Sequence, residues 1–138
     1  MKRILFVDHD RRALEAIRRR FFDRRHQWEI DFALTGQDAL DDVAEEPYDL
    51  VVAAKGLPDL DGLVVLSESR RKQPLVGCIL VGDGPLDAIR AAGVAHQILA
   101  RPCELSALDA AVESVLRLKD ACTHPTVREI VGGTRGLP

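Results

Sequence analysis

Compact apolar runs alternate along the chain with stretches whose apolar positions recur at helical spacing. Ile4-Leu5-Phe6-Val7 is the first run and is followed by Asp8-His9-Asp10. Asp10 is a helix-capping residue, and Leu14, Ile17 and Phe21 then fall at i, i+3 and i+7 on one face. From Trp28 to Ala33 the pattern changes to strict alternation, with Trp28, Ile30 and Phe32 on one side. Thr35-Gly36 opens a second helix whose apolar positions are Ala39, Leu40, Val43 and Ala44. Leu50 to Ala54 is continuously apolar, as a strand covered on both faces must be. A loop, Lys55-Gly56-Leu57-Pro58, precedes a third helix over Gly62 to Lys72 with Leu63 and Leu66 inward and Val65 a further candidate.

Cys78 to Val81 is a second fully apolar run, and Gly82-Asp83-Gly84-Pro85 reads as a loop with proline in a first helical turn. A short helix over Leu86 to Ala92 with Gly93 at its C′ position, and a last strand from Gln97 to Ala100, follow. The final helix, about Glu104 to Ala121, carries Leu105, Leu108, Val112, Val115 and Leu116 inward, and Pro125 ends it. Residues 126–138 hold one helical turn at most (Val127, Ile130, Val131) and then Gly132-Gly133-Thr134-Arg135-Gly136, a linker-like tail.

Five β-α repeats with buried-type strands predict an α/β fold. The expected architecture is a five-stranded, doubly wound parallel sheet over residues 1–122, with 123–138 as a linker or extension. In such sheets ligands sit beyond the carboxyl ends of the strands. The site is therefore expected at Asp8-His9-Asp10, Ala54-Lys55, Val81-Gly82 and Arg101-Pro102.

Composition narrows the class. The 138 residues are 46% hydrophobic and 30% charged, and 19 basic against 22 acidic residues leave a net charge of −3. That balance excludes a globally basic nucleic-acid binder. No apolar run approaches the roughly 20 residues of a membrane span, and the first apolar stretch is too short for a signal peptide. A cytoplasmic location, with Cys78, Cys103 and Cys122 reduced, is the expectation. The exception to the acidic balance is residues 11–25, with seven arginines against Glu15 and Asp23. An anionic partner is one account of them. A solvated face whose long stems cover apolar surface is the favoured one. Aromatics, at 4%, are too few for a base-stacking platform, so no nucleic acid is expected.

The motif Pro58-Asp59-Leu60-Asp61-Gly62 resembles the Pro-x-x-Asp-Gly turn of response-regulator receiver domains, and Asp8-His9-Asp10 and Arg101-Pro102 stand where that family places its acidic pair and its Lys-Pro, often a cis peptide. The resemblance implies a phosphoryl-accepting Asp after the third strand, a metal-binding acidic pair, a hydroxyl after the fourth strand and a charge-neutralising Lys. It also implies what is missing. The acceptor slot is Ala54, the second acid is His9, the hydroxyl slot is Val81, the lysine is Arg101 and the aromatic switch position is Ile98. Only Asp8 matches outright.

Asp59 and Asp61 are read as turn and capping residues. Lys55 is either a counter-ion for Asp8 or a solvated surface lysine. A transition-metal site at Asp8, His9 and Asp10 lacks a distant fourth ligand, so no metal and no cofactor are expected. An Asp8–Arg101 ion pair closing the pocket is expected instead.

The stretch Val94-Ala95-His96-Gln97-Ile98-Leu99-Ala100-Arg101-Pro102-Cys103, together with Arg25-His26-Gln27-Trp28-Glu29, is similar to receivers fused to HDOD output domains. The resemblance thus implies a non-enzymatic, phosphorylation-independent interaction module. It would dimerise through the predicted 86–92 helix, the fifth strand and the last helix, and would serve a downstream output domain. A small-molecule sensor using the vacated pocket, and a receiver with a substitute nucleophile, are the alternatives.

Overall fold

The computed structural model describes residues 1–83, 93–101 and 103–123, with the side chains of 83, 122 and 123 left aside. Five parallel strands, β1 (Lys2–Val7), β2 (Trp28–Ala33), β3 (Leu50–Ala54), β4 (Gly77–Asp83) and β5 (Gln97–Arg101), form one sheet. Its order is β2-β1-β3-β4-β5. Helices α1 (Arg11–Arg20), α2 (Gly36–Glu45), α3 (Gly62–Lys72) and α4 (Leu105–Thr123) flank it, with a 3-10 turn at Phe22–Arg24. This is the doubly wound α/β fold that the alternation of runs predicts.

The sheet divides the core in two. Ile4, Phe6, Leu50, Val52, Ile79 and Val81 point to the side covered by α1 and α4. Leu5, Val7, Val51, Ala53 and Leu80 point to the side covered by α2 and α3. Successive strand residues face opposite ways, so a strand buried on both faces has no polar position to spare. That is why β1 and β3 read as unbroken apolar runs. β2 is an edge strand and keeps its alternation, with Glu29 exposed and Trp28 buried.

Differences from the sequence pattern are local. β4 runs through Gly82 and Asp83, which the pattern assigned to a loop. Parallel pairing with β5, Gly82 opposite Ala100 and Asp83 opposite Arg101, holds them extended. In α3 the innermost residues are Val65 and Leu66, both fully buried, while Leu63 is only partly covered. Ser69, unexpected in the core, is buried by donating its hydroxyl to the Val65 carbonyl at 2.7 Å. The helix expected over 86–92, Pro102 and the tail from 124 lie outside the described residues.

Helix starts follow the capping residues. Asp10 accepts from the Arg12 and Ala13 amides. Thr35 accepts from Asp38, and Asp61 from Leu63. Each satisfies amides that the helix itself leaves unpaired.

Candidate functional site

The carboxyl ends of the strands gather the predicted residues. Asp8 follows the last residue of β1, its side chain only 8% exposed. Ala54 closes β3 and stands opposite Val81 of β4 in the parallel register. Both are buried. Arg101 ends β5. Its Nη2 donates to Asp8 Oδ2 at 2.5 Å. The other carboxylate oxygen accepts from the Asp10 amide at 3.0 Å. Between the two charges lie β3 and β4, whose side chains at this level are the methyl of Ala54 and the isopropyl of Val81. The floor is thus apolar, and the charges meet each other rather than a third group.

His9 is exposed, with its Nδ1 3.6 Å from Asp8 Oδ1, beyond a hydrogen bond. Asp10 is committed to the α1 cap. Among the described residues no three His, Cys, Asp or Glu side chains converge as a metal site. Mg²⁺, the ion that the sequence resemblance implies, does not suit this donor set. It asks for several oxygen ligands at octahedral angles. Here one carboxylate stands alone with both oxygens engaged, beside a methyl group and an imidazole.

Lys55 is not the counter-ion of Asp8. Its Nζ donates to Asp61 Oδ2 at 2.7 Å and ties the two ends of its own loop together. The loop is fastened further by the backbone. The Gly62 amide donates to the Lys55 carbonyl at 2.8 Å, and Gly56 bridges to Asp61. Gly62 must be glycine for reasons of space. A Cβ there would lie 2.0 Å from the Ala54 carbonyl oxygen and 2.9 Å from Lys55 Cα, both backbone atoms.

Asp59 reaches away from the strand ends to a neighbouring helix. Its two oxygens accept from the Gly36 and Gln37 amides at 2.8 and 2.9 Å, at the start of α2. Those bonds hold its carboxyl below the usual carboxylate range. Turn and capping roles for Asp59 and Asp61 are therefore visible in the geometry. Ile98, which the sequence resemblance puts at the switch position, packs partly buried against the α2/α3 side of the core.

Two further sites were not legible as such. Asp109 of α4, 9% exposed, receives Arg24 at 2.8 Å and Arg20 at 3.5 Å, and Glu113 receives Arg24 at 3.0 Å. Part of the basic stretch is thus a clamp between the first and last helices. The periodicity of α4 hid this, because Asp109 interrupts an otherwise apolar face. Arginines of this stretch also cover rings, as expected for long stems: Arg18 over Phe32, Arg25 over Phe22 and the clamp residue Arg24 over Trp28. His96, just before β5, accepts the Cys78 amide on Nδ1 at 3.0 Å while its own amide donates to the Cys78 carbonyl. The imidazole completes the ladder where β5 has not yet begun. Burial first, then the charge of Arg70, lowers its pKa. Cys78 is buried and its thiol is pushed up to about 12 by desolvation.

Among known proteins, the chain is 28% identical over 98% of its length to the response regulator MprA of Mycolicibacterium vanbaalenii and spans 65% of that relative. It is 31% identical over 83% of its length to the transcriptional activator protein PfeR of Pseudomonas aeruginosa, spanning 38% of it. The chain therefore covers less than two thirds of these curated relatives. Among solved structures, a CheY-like receiver domain protein from Methanospirillum hungatei superposes with a TM-score of 0.80 at 21% identity, covering 87% of this chain and 97% of that one. The signal receiver domain of an HD domain-containing protein from Pseudomonas fluorescens gives 0.79 at 23%, covering 87% and 98%. The family description "Response regulator receiver domain" matches residues 4–113. With that match across most of the chain, and the 2-1-3-4-5 sheet to carry it, the protein belongs to the response regulator receiver domain family of two-component signalling.

Proposed function

We propose that this receiver works without accepting a phosphoryl group and signals by protein contact alone. The observation that carries the proposal is the Asp8–Arg101 ion pair over a floor of Ala54 and Val81. In this reading position 54 is the acceptor slot, and a methyl group there offers no nucleophile. Arg101 takes the place of the family's lysine. With no phosphate to neutralise, it neutralises Asp8. Phosphoryl transfer rests on positioning and on charge stabilisation by metal and cation. His9, Val81 and Ala54 supply neither, and Arg101 is already bound to Asp8.

A pocket closed in this way holds one arrangement. Any change of state must then come from a partner with unequal affinity for two conformations. In the proposal residues 1–122 are the receiver unit, in the cytoplasm, and residues 123–138 lead toward an output domain. An HDOD domain is the proposed output, supported by the 94–103 stretch. A solved receiver of similar fold also comes from an HD domain-containing protein. Homodimer contacts are proposed for the face made by residues 86–92, β5 and α4.

The test is exposure to acetyl phosphate with Mg²⁺, read by intact mass, with Ala54→Asp as a companion. The parent is expected to stay unmodified. A phosphoryl increment on the parent protein, mapped to any residue of the strand-end cluster, overturns the proposal.

A further inference from the structure

Among the described residues nothing pairs with the outer edge of β2, and two arginines, Arg18 and Arg25, flank the groove beside it. Among the described residues β2 pairs with β1 alone. The Gln27 and Ala33 carbonyls accept from the Lys2 and Asp8 amides, on the β1 side. By the alternation of a parallel ladder, the backbone N–H and C=O groups of Trp28, Ile30 and Phe32 therefore point outward. The side chains of these residues face α1. With Phe21, Phe22, Arg18, Arg25 and Asp31 they line a groove of about 470 Å³, and the Asp31 carboxylate is paired with Arg3 at 2.9 Å. A smaller groove of about 230 Å³ continues it past Phe32 and Leu34 to Arg11.

Phe22 is 58% exposed. Among the described residues Arg25 meets no carboxylate. Its guanidinium lies 4.1 Å from the Phe22 ring and donates to the Phe22 carbonyl. Among the same residues Arg18 has only Glu15, at 3.8 Å. Arg20 and Arg24 are neutralised by α4, but these two are not. They also sit at opposite ends of the groove, Arg25 beside Phe22 and Arg18 over Phe32.

We propose that β2 accepts an extended, acidic segment of a partner protein as a sixth strand. Its pattern would be Asp/Glu-x-apolar-x-Asp/Glu. Residues two apart share a face of a strand, so the apolar side chain enters the groove between two carboxylates. Those carboxylates, four residues or about 13 Å apart, match the distance spanned from Trp28 to Phe32. Main-chain bonds to the open edge supply the affinity and the groove supplies the choice of side chain.

Charge decides against a second copy of this chain. An antiparallel β2–β2 pair places the arginines of both α1 helices on one face. It places the acidic α2 helices of both copies (Asp38, Asp41, Asp42, Glu45) on the other, together with Glu29 and Asp31, two carboxylates that share the single cation Arg3. Like charges would meet on both faces. The proposal concerns a surface away from the strand-end pocket and stands whether or not position 54 is the acceptor slot.

The probe is a short labelled peptide with the core Glu-Thr-Ile-Thr-Glu, followed by anisotropy and by amide NMR. Two N-methylated versions block one edge of the peptide each. Binding is expected to move the Trp28, Ile30 and Phe32 amides and to survive methylation of one edge only. It should weaken at least about tenfold, roughly 1.4 kcal/mol, when Arg18→Glu and Arg25→Glu are combined. Both substitutions are on exposed side chains, and circular dichroism checks the fold. The proposal is overturned if β2 amides do not move at saturating peptide, or if both methylated versions bind equally. A concentration-dependent homodimer that moves the same amides also overturns it.

Discussion

Replacing Arg101 by alanine removes the guanidinium that Asp8 touches, and the consequence for stability follows from the geometry. Asp8 is 8% exposed and keeps one hydrogen bond, from the Asp10 amide. A hydrogen bond to a charged group contributes about 1.5–3 kcal/mol, and orphaning a fully buried charge costs roughly 3–5 kcal/mol. Arg101 is 29% exposed, so truncating it lets water reach the carboxylate and lowers the penalty toward the first range. We expect Arg101→Ala to lose about 2 kcal/mol, which for a domain of this size lowers Tm by roughly 8 °C. Urea denaturation should show a lower midpoint with an unchanged slope, because the same surface is exposed on unfolding. Asp8→Asn and the double variant complete a cycle whose coupling energy should be at least about 1 kcal/mol. An Arg101→Ala protein that melts with the parent, or a coupling near zero, would refute the reading of this pair as the closure of the pocket.

Other outcomes follow from single contacts. Gly62→Ala should destabilise by at least about 2 kcal/mol in the same urea assay, since its methyl meets backbone that has no rotamer to change. His96 binds its proton less readily folded than unfolded. Its stabilisation is therefore complete above about pH 6.5 and is lost as pH falls through the lower folded pKa. His96→Asn keeps an acceptor for the Cys78 amide and should abolish that slope in urea midpoints measured between neutral and mildly acid pH. Asp59 works in the carboxylate range. Its folded pKa is depressed, so its contribution is present above about pH 4 and disappears as pH falls through that lower value. The gap in urea midpoint between the parent and Asp59→Ala should close in acid.

Most of the architecture was legible because the runs of β1, β3 and β4 are apolar without a break where both faces are covered, while β2 alternates. The ends of β4 were not. Gly82 and Asp83 have loop-like identities, and only their pairing with β5 extends them. The site residues were legible by position, since strand ends in this topology converge without further information. What their side chains do was only partly so. Asp8 with Arg101 follows from charge, but Lys55 turning to Asp61 depends on how tightly Gly62 lets the loop fold back. Asp109 looked like a blemish on an apolar helix face because its partners, Arg20 and Arg24, lie some 85 residues away in sequence.

The chain has one tryptophan. Trp28 lies 5.6 Å from the Phe21 ring and 4.4 Å beneath the Arg24 guanidinium, which Asp109 and Glu113 hold in place from α4. Its emission is therefore a built-in gauge of whether the last helix is seated on the first. Any event that lifts α4 releases Arg24 and wets the indole, turning a movement of the last helix into a colour shift that needs no label.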